Sequence, residues 1–276
     1  MTQQAGKVVV CTGSGRSNGL GAAILRRLAT EGCRVVVSDI GEPSGLLTDN
    51  DIGTSANMTE VGEELRAIGT ECIEVVCDVR DPSSVQNLID HTVEQFGQID
   101  ILVNNAGVGF LMRDFREVPL DEWQLVLDVN LTGAFLCTQI ATNRMIEQGH
   151  GGRIINIASQ AAKSGFPHLA AYVTTKHGLV GLTRSNAIEF GEFGITVNAV
   201  CPNHVTTDLG AKQNAYYAQL QGKTLDEYLA DMRDRIPLGR PGLQQDTAAA
   251  VAWLASDDAQ YITGEALNVS GGEEMH

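Results

Sequence analysis

The sequence predicts an α/β fold: a doubly wound parallel sheet of about seven strands, with helices on both faces, in a single domain over residues 1–276. Short runs rich in valine and isoleucine recur along the chain, and stretches with helical periodicity lie between them. The runs are apolar on both sides, as strands covered on two faces must be. Alternation of strand and helix therefore predicts parallel strands joined by right-handed crossovers.

The predicted strands are, in order, KVVVCT, CRVVVSD, CIEVVCD, DILVNNAG, GRIINIAS, GITVNAVCP and EALNVSGG. Helical periodicity is clear at residues 85–96, 120–148 and 172–192. Two segments depart from this order: residues 41–57 are rich in glycine, serine and aspartate, and residues 207–235 form a polar helical stretch with aromatics. Both follow strand ends, where such a sheet binds its ligand, so we interpret residues 207–235 as a substrate lid.

Charge and composition narrow the class of partner. The chain has 19 lysines and arginines against 34 acids, a net charge of −15, which opposes binding to nucleic acids or anionic membranes. No apolar signal core opens the chain, and we expect no membrane-spanning segment. The six cysteines are scattered without metal-ligand spacing, which favours buried thiols, a cytoplasmic location and no metal. The expected partner is a small molecule or a second copy of the chain.

The stretch TGSGRSNGLG, residues 12–21, follows the first strand and precedes a helix. Glycines there let backbone N–H groups approach a phosphate. Asn18 stands where a G-x-G-x-x-G pattern needs glycine, so a plain tight turn explains the loop almost as well. Asp39 ends the second strand, where a carboxylate can accept hydrogen bonds from both ribose hydroxyls of NAD and would repel the 2′-phosphate of NADP.

A second group of residues suits proton transfer. Tyr172 and Lys176 are four apart and share one face of a helix. An ammonium near the phenol would lower the tyrosine pKa from about 10 toward neutrality, which an acid/base catalyst requires. Ser159 ends a strand and can donate to a substrate oxygen, although a lone serine there is as readily a turn or helix cap.

Together these motifs closely resemble the short-chain dehydrogenase/reductase family, from Lys7 to Gly272. The glycine loop resembles the family's T-G-x-x-x-G-x-G, and NNAG, CDV, LDVNLTGAF and CPNHVTTDL resemble four further family motifs. The resemblance implies a Rossmann fold and a catalytic set in which Tyr172 is the general acid/base, Lys176 lowers its pKa and binds the nicotinamide ribose, Ser159 orients the substrate, and Asn130 holds a water of the proton relay.

The same resemblance implies where the cofactor binds. Gly13, Asn18, Leu20 and Gly21 are expected around the pyrophosphate. Asp39 is expected at the ribose, Asp78 and Val79 at the adenine, and Asn105 and Gly107 at the adenosine. Contacts with the carboxamide are expected from Pro202, Val205 and Thr207.

Three features depart from the family pattern. The glycine loop has two extra residues between Gly13 and Gly19, residues 41–57 are longer than usual, and Asn203 replaces the glycine after Pro202. The long segment follows the ribose-binding strand, so it could cover the cofactor, but a tolerated surface insertion is the favoured explanation.

The leading hypothesis is an NAD-dependent oxidoreductase that moves hydride between a secondary alcohol and its ketone. The expected substrate is neutral and bears a ring or a medium apolar group, because the predicted enclosure is largely apolar: Phe110, Leu111, Met112, Phe166, Tyr216, Tyr217 and Met232. Two alternatives stay open, an NADPH-dependent ketoacyl reductase linked to a carrier protein and a non-catalytic nucleotide-binding regulator. By resemblance, the helices at 120–148 and 172–192 would pair across two-fold axes in a homotetramer.

Overall fold

Valine-rich runs form a seven-stranded parallel sheet in this computed structural model, which describes residues 4–109 and 111–275. In chain order the strands are β1 (Val8–Thr12), β2 (Arg34–Asp39), β3 (Cys72–Val76), β4 (Ile101–Asn104), β5 (Gly152–Ile157), β6 (Ile195–Pro202) and β7 (Ala266–Val269). They lie side by side in the order β3-β2-β1-β4-β5-β6-β7. The predicted fold class is therefore confirmed, including the number of strands and their parallel pairing.

Helices connect the strands and cover both faces of the sheet. They are α1 (Leu20–Thr30), α2 (Ser55–Ile68), α3 (Pro82–Phe96), α4 (Leu120–Leu127), α5 (Gly133–Gln148), α6 (Ala170–Phe190), α7 (Asp208–Leu220), α8 (Leu225–Arg235) and α9 (Gln244–Ala255). A π-helical turn, Asp128–Thr132, joins α4 to α5. Residues 207–235, predicted to form a lid, thus contain the two helices α7 and α8.

Alternate residues of each strand enter two apolar layers. Val9 faces the layer that also contains Leu25 of α1 and Val251 of α9. Val10 faces the opposite layer, with Leu88 of α3. Each fully buried aliphatic side chain contributes about 1.5–3 kcal/mol to folding, so the two layers fix the sheet and with it the positions of the strand ends.

One helical stretch bears on the expectation that the chain has no membrane-spanning segment. Within the described residues, Leu120–Gln148 is long and apolar enough to cross a membrane by length and composition. However, 56% of its apolar window is buried inside the protein, and its buried residues include Ala141 and Met145 of the core. Its apolar character is thus explained by packing against the sheet.

The carboxyl ends of the strands form the edge that receives the functional loops. The order of the sheet reverses direction at β1 and β4, and ligands of such sheets bind in the crevice at that point. Residues 41–57 leave β2 at this edge and return through a bridge between Gly41 and Thr54. Helix α7 follows β6 at the same edge. Both departures from the regular pattern therefore border one crevice.

Candidate functional site

A single cleft at the carboxyl edge collects nearly all residues that the sequence assigns to cofactor and chemistry. Those that line it are Gly13, Asn18, Leu20, Asp39, Asp78, Val79, Asn105, Gly107, Ser159, Tyr172, Lys176, Pro202, Val205 and Thr207. Two assigned residues, Gly21 and Asn130, lie behind this lining. The cleft thus runs from the end of β2 to the start of α6, a path that suits an extended dinucleotide.

The glycine loop fits a phosphate. Gly13 has a φ of 65°, and a Cβ on it would lie 2.6 Å from the Ala106 Cα, so only glycine allows this close approach. The Asn105 side chain fixes the loop by donating to the carbonyl oxygens of Thr12 and Gly13 at 2.9 and 2.8 Å. Helix α1 begins at Leu20 and points its N-terminal amides toward the cleft, as anion binding requires.

Gly21 has a packing role that differs from the expected contact with pyrophosphate. A Cβ at this position would lie 2.7 Å from the Asn105 side-chain nitrogen and 2.8 Å from the Gly13 carbonyl oxygen. Its lack of a side chain therefore lets α1 approach the turn after β4. The glycine positions the phosphate loop from behind.

Asp39 is more heavily committed than the sequence predicts. Its carboxylate accepts hydrogen bonds from the backbone N–H groups of Gly15 at 3.0 Å, of Ile40 at 2.9 Å and of Gly53. Burial raises the pKa of Asp39, and these three amides act against that rise. Since a carboxylate has about four acceptor positions, it retains room for about one further donor, rather than for both ribose hydroxyls.

The positive charges at the β2 end of the cleft are paired with carboxylates. Arg80 binds both oxygens of Asp78, with its closest contact at 2.6 Å, and also donates to the Ser44 hydroxyl at 3.0 Å. Arg16 pairs with Asp208, and Lys212 with Asp51 at 2.9 Å. Apart from Lys176 near the reacting end, no cation lining the described part of the cleft is without an acidic partner, so a 2′-phosphate has no dedicated counter-charge.

Asn130 lies in the π-helical turn, behind the cleft. Its side-chain oxygen accepts from the Val108 N–H at 2.7 Å, while its side-chain nitrogen donates to the Val108 carbonyl at 2.8 Å and to Thr175 at 3.2 Å. The carboxamide thus holds the loop after β4 against α6. Both N–H donors of the Asn130 side chain are used, so a relay water would have to donate to its side-chain oxygen, which keeps one acceptor position, or to its backbone carbonyl. Such π turns are frequent at functional sites.

Tyr172, Lys176 and Ser159 converge at the deep end of the cleft, as predicted. The Lys176 ammonium donates to the Ile157 carbonyl at 2.7 Å and lies 5.4 Å from the centre of the Tyr172 ring. The Ser159 hydroxyl oxygen accepts from the Ala161 N–H at 3.1 Å, which leaves its O–H free to donate.

The electrostatics of this group differ from the expectation. Burial raises the pKa of Tyr172, and a hydrogen bond with Ser159 partly opposes the rise. Burial also lowers the pKa of Lys176 to about 8. Desolvation therefore disfavours the charged form of each group. Lys176, which is hydrogen-bonded to a backbone carbonyl, does not by itself lower the pKa of Tyr172 toward neutral pH.

The end of β6 is tied to the end of the chain. The Asn203 side-chain nitrogen donates to the Ser270 carbonyl at 2.8 Å and to the Glu273 carboxylate at 3.0 Å. Asn203 does not use a positive φ, since His168 is the one described non-glycine residue that does. Thr207 caps α7 by accepting from the Gly210 N–H at 3.1 Å. The departure from glycine at position 203 thus serves a side-chain contact.

A smaller chamber opens beside Tyr172 and Ser159, and its walls are more polar than the predicted enclosure. They comprise Ser159, Gln160, Ala161, Phe166, Leu169, Tyr172, Asn203, His204, Gln213, Asn214 and Tyr217. Of the predicted apolar set, only Phe166 and Tyr217 line it. Met232 is fully buried in the core of the lid, and Phe110 lies outside the described residues. The apolar residues hold the lid together and leave its amides facing the chamber.

The glycine loop, residues 41–57 and helix α7 meet across the mouth of the cleft in a set of contacts that we call the latch. The glycine loop contributes Arg16 and Asn18, residues 41–57 contribute Asn50 and Asp51, and α7 contributes Asp208 and Lys212.

Several contacts close the latch. Asp208 of α7 pairs with Arg16 and accepts from Asn18 at 3.0 Å. Arg16 donates in turn to the Asn50 carbonyl at 3.1 Å, and Lys212 pairs with Asp51 at 2.9 Å. The long segment therefore covers the cleft together with the lid, which the surface-insertion interpretation did not anticipate.

Sequence reasoning missed the residues that act through such distant contacts. Asp208 stands within CPNHVTTDL, but nothing in that motif indicates its pairing with Arg16. Gln213 and Asn214 are ordinary polar residues of a helix, and Glu273 lies in a short acidic tail. Their only sequence signal was position, since each follows the carboxyl end of a predicted strand.

Comparisons with known proteins agree with this geometry. Residues 13–274 match the family model described as Enoyl-(Acyl carrier protein) reductase. The chain is 39% identical, over 265 residues, to a protein of Staphylococcus aureus named 3-oxoacyl-[acyl-carrier-protein] reductase FabG, and the match covers 95% of this chain and 96% of that protein.

Solved structures are also similar. Carveol dehydrogenase from Mycobacterium avium in complex with NAD matches with a TM-score of 0.90 and 30% identity, covering 99% of both chains. NAD⁺-bound xylitol dehydrogenase matches with a TM-score of 0.89 and 30% identity, covering 98% of this chain and all of that one.

The latch predicts a slow, salt-sensitive release of cofactor. Asp208→Asn removes the carboxylate that pairs with Arg16, and should raise the NADH dissociation rate about two- to fivefold, the range expected for a partly exposed ion pair. Raising the salt concentration should accelerate release from the unmodified protein by screening the same charges. Stopped-flow fluorescence of bound NADH measures both rates.

The matched control is Asp231→Asn. It removes a similar lid carboxylate, which pairs with Lys223 away from the cleft. If both variants and the parent protein release NADH at the same rate, the latch does not slow the release of the cofactor.

Proposed function

Because this chain belongs to the short-chain dehydrogenase/reductase family of oxidoreductases, we propose that it uses NAD to move a hydride between a neutral secondary alcohol and its ketone. The observation that carries the proposal is the convergence of Tyr172, Lys176 and Ser159 at the inner end of a dinucleotide-sized cleft. A phenol, an amine and a hydroxyl in one desolvated place are the groups that carbonyl reduction and alcohol oxidation need.

The choice of NAD is supported by the charges of the cleft. Asp39 places a partly buried carboxylate at the end of β2, where the adenosine ribose is expected. Arg16 and Arg80 already bind Asp208 and Asp78. A 2′-phosphate would therefore meet one negative charge and two occupied guanidinium groups. The same arrangement accommodates a neutral hydroxyl, which can use the remaining acceptor position of Asp39.

Each residue of the site has a separate role in the oxidation. The cofactor, when bound, supplies the carbon that accepts hydride. Tyr172 takes the hydroxyl proton as its phenolate, and Ser159 donates a hydrogen bond that holds the substrate oxygen. Lys176 holds the nicotinamide ribose and is itself fixed by the Ile157 carbonyl. In the direction of reduction, the Tyr172 phenol returns the proton to the substrate oxygen.

A second candidate function is reduction of a 3-oxoacyl group on a carrier protein with NADPH. It is favoured by the printed name of the Staphylococcus aureus relative and by the description of the matching family model. The net charge of −15 and the carboxylate of Asp39 oppose it, because an acidic carrier protein and a 2′-phosphate would both be repelled. The third candidate, a non-catalytic regulator, has no observation in its favour, since the catalytic groups are complete.

Turnover of model substrates tests this proposal directly. We expect short neutral secondary alcohols to reduce NAD. Their kcat/KM with NAD should be at least about tenfold above that with NADP, because the Asp39 carboxylate repels the 2′-phosphate and prevents the favourable ribose contacts. Absorbance of the reduced nicotinamide gives the rates. Preference for NADPH together with a 3-oxobutanoyl thioester would select the second candidate instead, and absence of turnover with either set would leave the regulator.

Tyr172→Phe tests the assignment of the base. Oxidation should slow by at least about 10²-fold, because the variant lacks the hydroxyl assigned to take the alcohol proton, while NADH still binds. In the unmodified enzyme, kcat/KM for oxidation should rise with pH through the alkaline range. The sign follows from burial, which raises the pKa of Tyr172, so that the phenolate increases as the pH approaches that value.

The control for this variant is Tyr261→Phe, the same change at a fully exposed position. It should retain full activity and the same pH profile. A Tyr172→Phe enzyme with normal turnover would refute the assignment of the base.

We also propose that the chain assembles as a homotetramer in the cytoplasm. Large apolar side chains remain exposed on the two long helices, including Ile188 of α6 at 85% and Phe135 of α5 at 44%. Pairing of these helices with a second copy would cover them. All six cysteines are free thiols, which suits a reducing compartment. Light scattering after size-exclusion chromatography should give about four times the chain mass, and a monomer would contradict the assembly.

A further inference from the structure

The chamber beside Tyr172 is small. Its volume is about 40 Å³ on the scale where one water needs roughly 10–15 Å³, so it holds about three water-sized groups. A substituent on the reacting carbon must therefore be short while the lid is in this position. A long acyl or alkyl chain does not fit this space.

Polar and apolar side chains share the wall of the chamber, and some hydrogen bonds of the polar ones are already used inside the protein. The Gln213 side-chain nitrogen donates to the Gly109 carbonyl at 2.7 Å, and the Tyr217 hydroxyl donates to the Pro167 carbonyl at 2.8 Å. The donors of Asn203 bind Ser270 and Glu273. These contacts fix the walls and give the chamber a defined shape.

Three other side chains keep their hydrogen-bonding capacity. Gln160 follows β5 and Asn214 lies on α7, and neither amide binds another described residue of the chain. His204 follows β6, and its Nε2 atom lies 3.8 Å from the Glu273 carboxylate. Its Nδ1 atom has no hydrogen-bond partner among the described residues. The three groups come from separate elements and line one space.

A largely covered carboxylate, that of Glu273, lies beside the His204 ring. Glu273 is held by Asn203 at 3.0 Å and by Arg235 at 3.4 Å, so its carboxylate stays beside the imidazole. The backbone of His204 is also pinned, because its carbonyl accepts from the Gly242 N–H at 2.8 Å. Burial lowers the pKa of His204, whereas Glu273 acts in the opposite sense. A fixed imidazole beside the reacting group can accept or donate one directed hydrogen bond.

We propose that the substrate is a short polyhydroxy compound, a vicinal diol or the matching hydroxyketone, and that His204, Asn214 and Gln160 bind the oxygen next to the reacting carbon. This inference rests on the proposed function and specifies its substrate class. An apolar substituent placed against these amides would strip them of water without replacing their hydrogen bonds, which costs free energy. A second hydroxyl would replace those bonds. His204 acts here as a specificity residue, distinct from the proton transfer at Tyr172.

Matched pairs of alcohols test the proposal on the unmodified enzyme. With NAD, kcat/KM for 2,3-butanediol should exceed that for 2-butanol by about tenfold or more, the effect of one to two added hydrogen bonds. Lengthening the mono-alcohol to 2-octanol should lower kcat/KM further, because the chamber cannot hold the chain. Equal rates for the pair, or a rise toward 2-octanol, would overturn this inference while leaving the proposed function intact. No oxidation of any alcohol would instead overturn the proposed function itself.

Two variants locate the contact. His204→Phe keeps a ring and removes its nitrogens, and Asn214→Leu keeps the shape of the side chain and removes its amide. Each should reduce the ratio of kcat/KM for 2,3-butanediol over 2-butanol to within about threefold. Gln219→Leu is the control, an exposed polar position on the same helix α7, and should leave the ratio unchanged. A ratio that survives both substitutions would show that these residues do not bind the second oxygen.

Discussion

The partly buried carboxylate of Asp39 organises the end of the cleft next to β2. Three backbone N–H groups, from Gly15, Ile40 and Gly53, converge on it, and they belong to the glycine loop, the end of β2 and the long segment that follows. A buried carboxylate without such partners would be costly, so the two loops must fold around it. The close fit is visible in the glycines, since a Cβ on Gly53 would lie 2.6 Å from a carboxylate oxygen. One side chain thus holds together the segments that depart most from the family pattern.

The chemical end of the cleft depends on a different constraint, the exclusion of water around two titratable groups. Burial acts on Tyr172 and Lys176 in opposite directions and favours the neutral form of both. The positions of these groups come from rigid elements: α6 carries both, β5 ends at the carbonyl that binds Lys176, and the π turn carries the Asn130 that braces α6. The fold therefore fixes the positions of Tyr172 and Lys176, and the protonation states of the two groups depend on what binds beside them.

Local patterns in the sequence were sufficient for the fold and for the placement of Tyr172 and Lys176 on one face of a helix. Strand and helix periodicity gave the sheet, and the four-residue spacing of Tyr172 and Lys176 gave their common face. Contacts between distant segments leave no such pattern. Arg16 and Asp208 are separated by 192 residues, and either could equally have faced solvent. The predicted apolar enclosure differs from the chamber for the same reason, because the aromatic side chains of α7 and α8 pack on one another instead of facing the chamber.

Helix α7 carries two sets of contacts on neighbouring residues. Asp208 and Lys212 close the mouth of the cofactor cleft, and the next two residues, Gln213 and Asn214, line the substrate chamber. A ligand that orders this helix from one side therefore prepares it for the other. Any coupling free energy that α7 transmits between the two sites is reciprocal by thermodynamic linkage. Occupancy of either site would then change the affinity of the other by the same factor, so α7 is the element through which a nucleotide and a substrate can influence each other's binding.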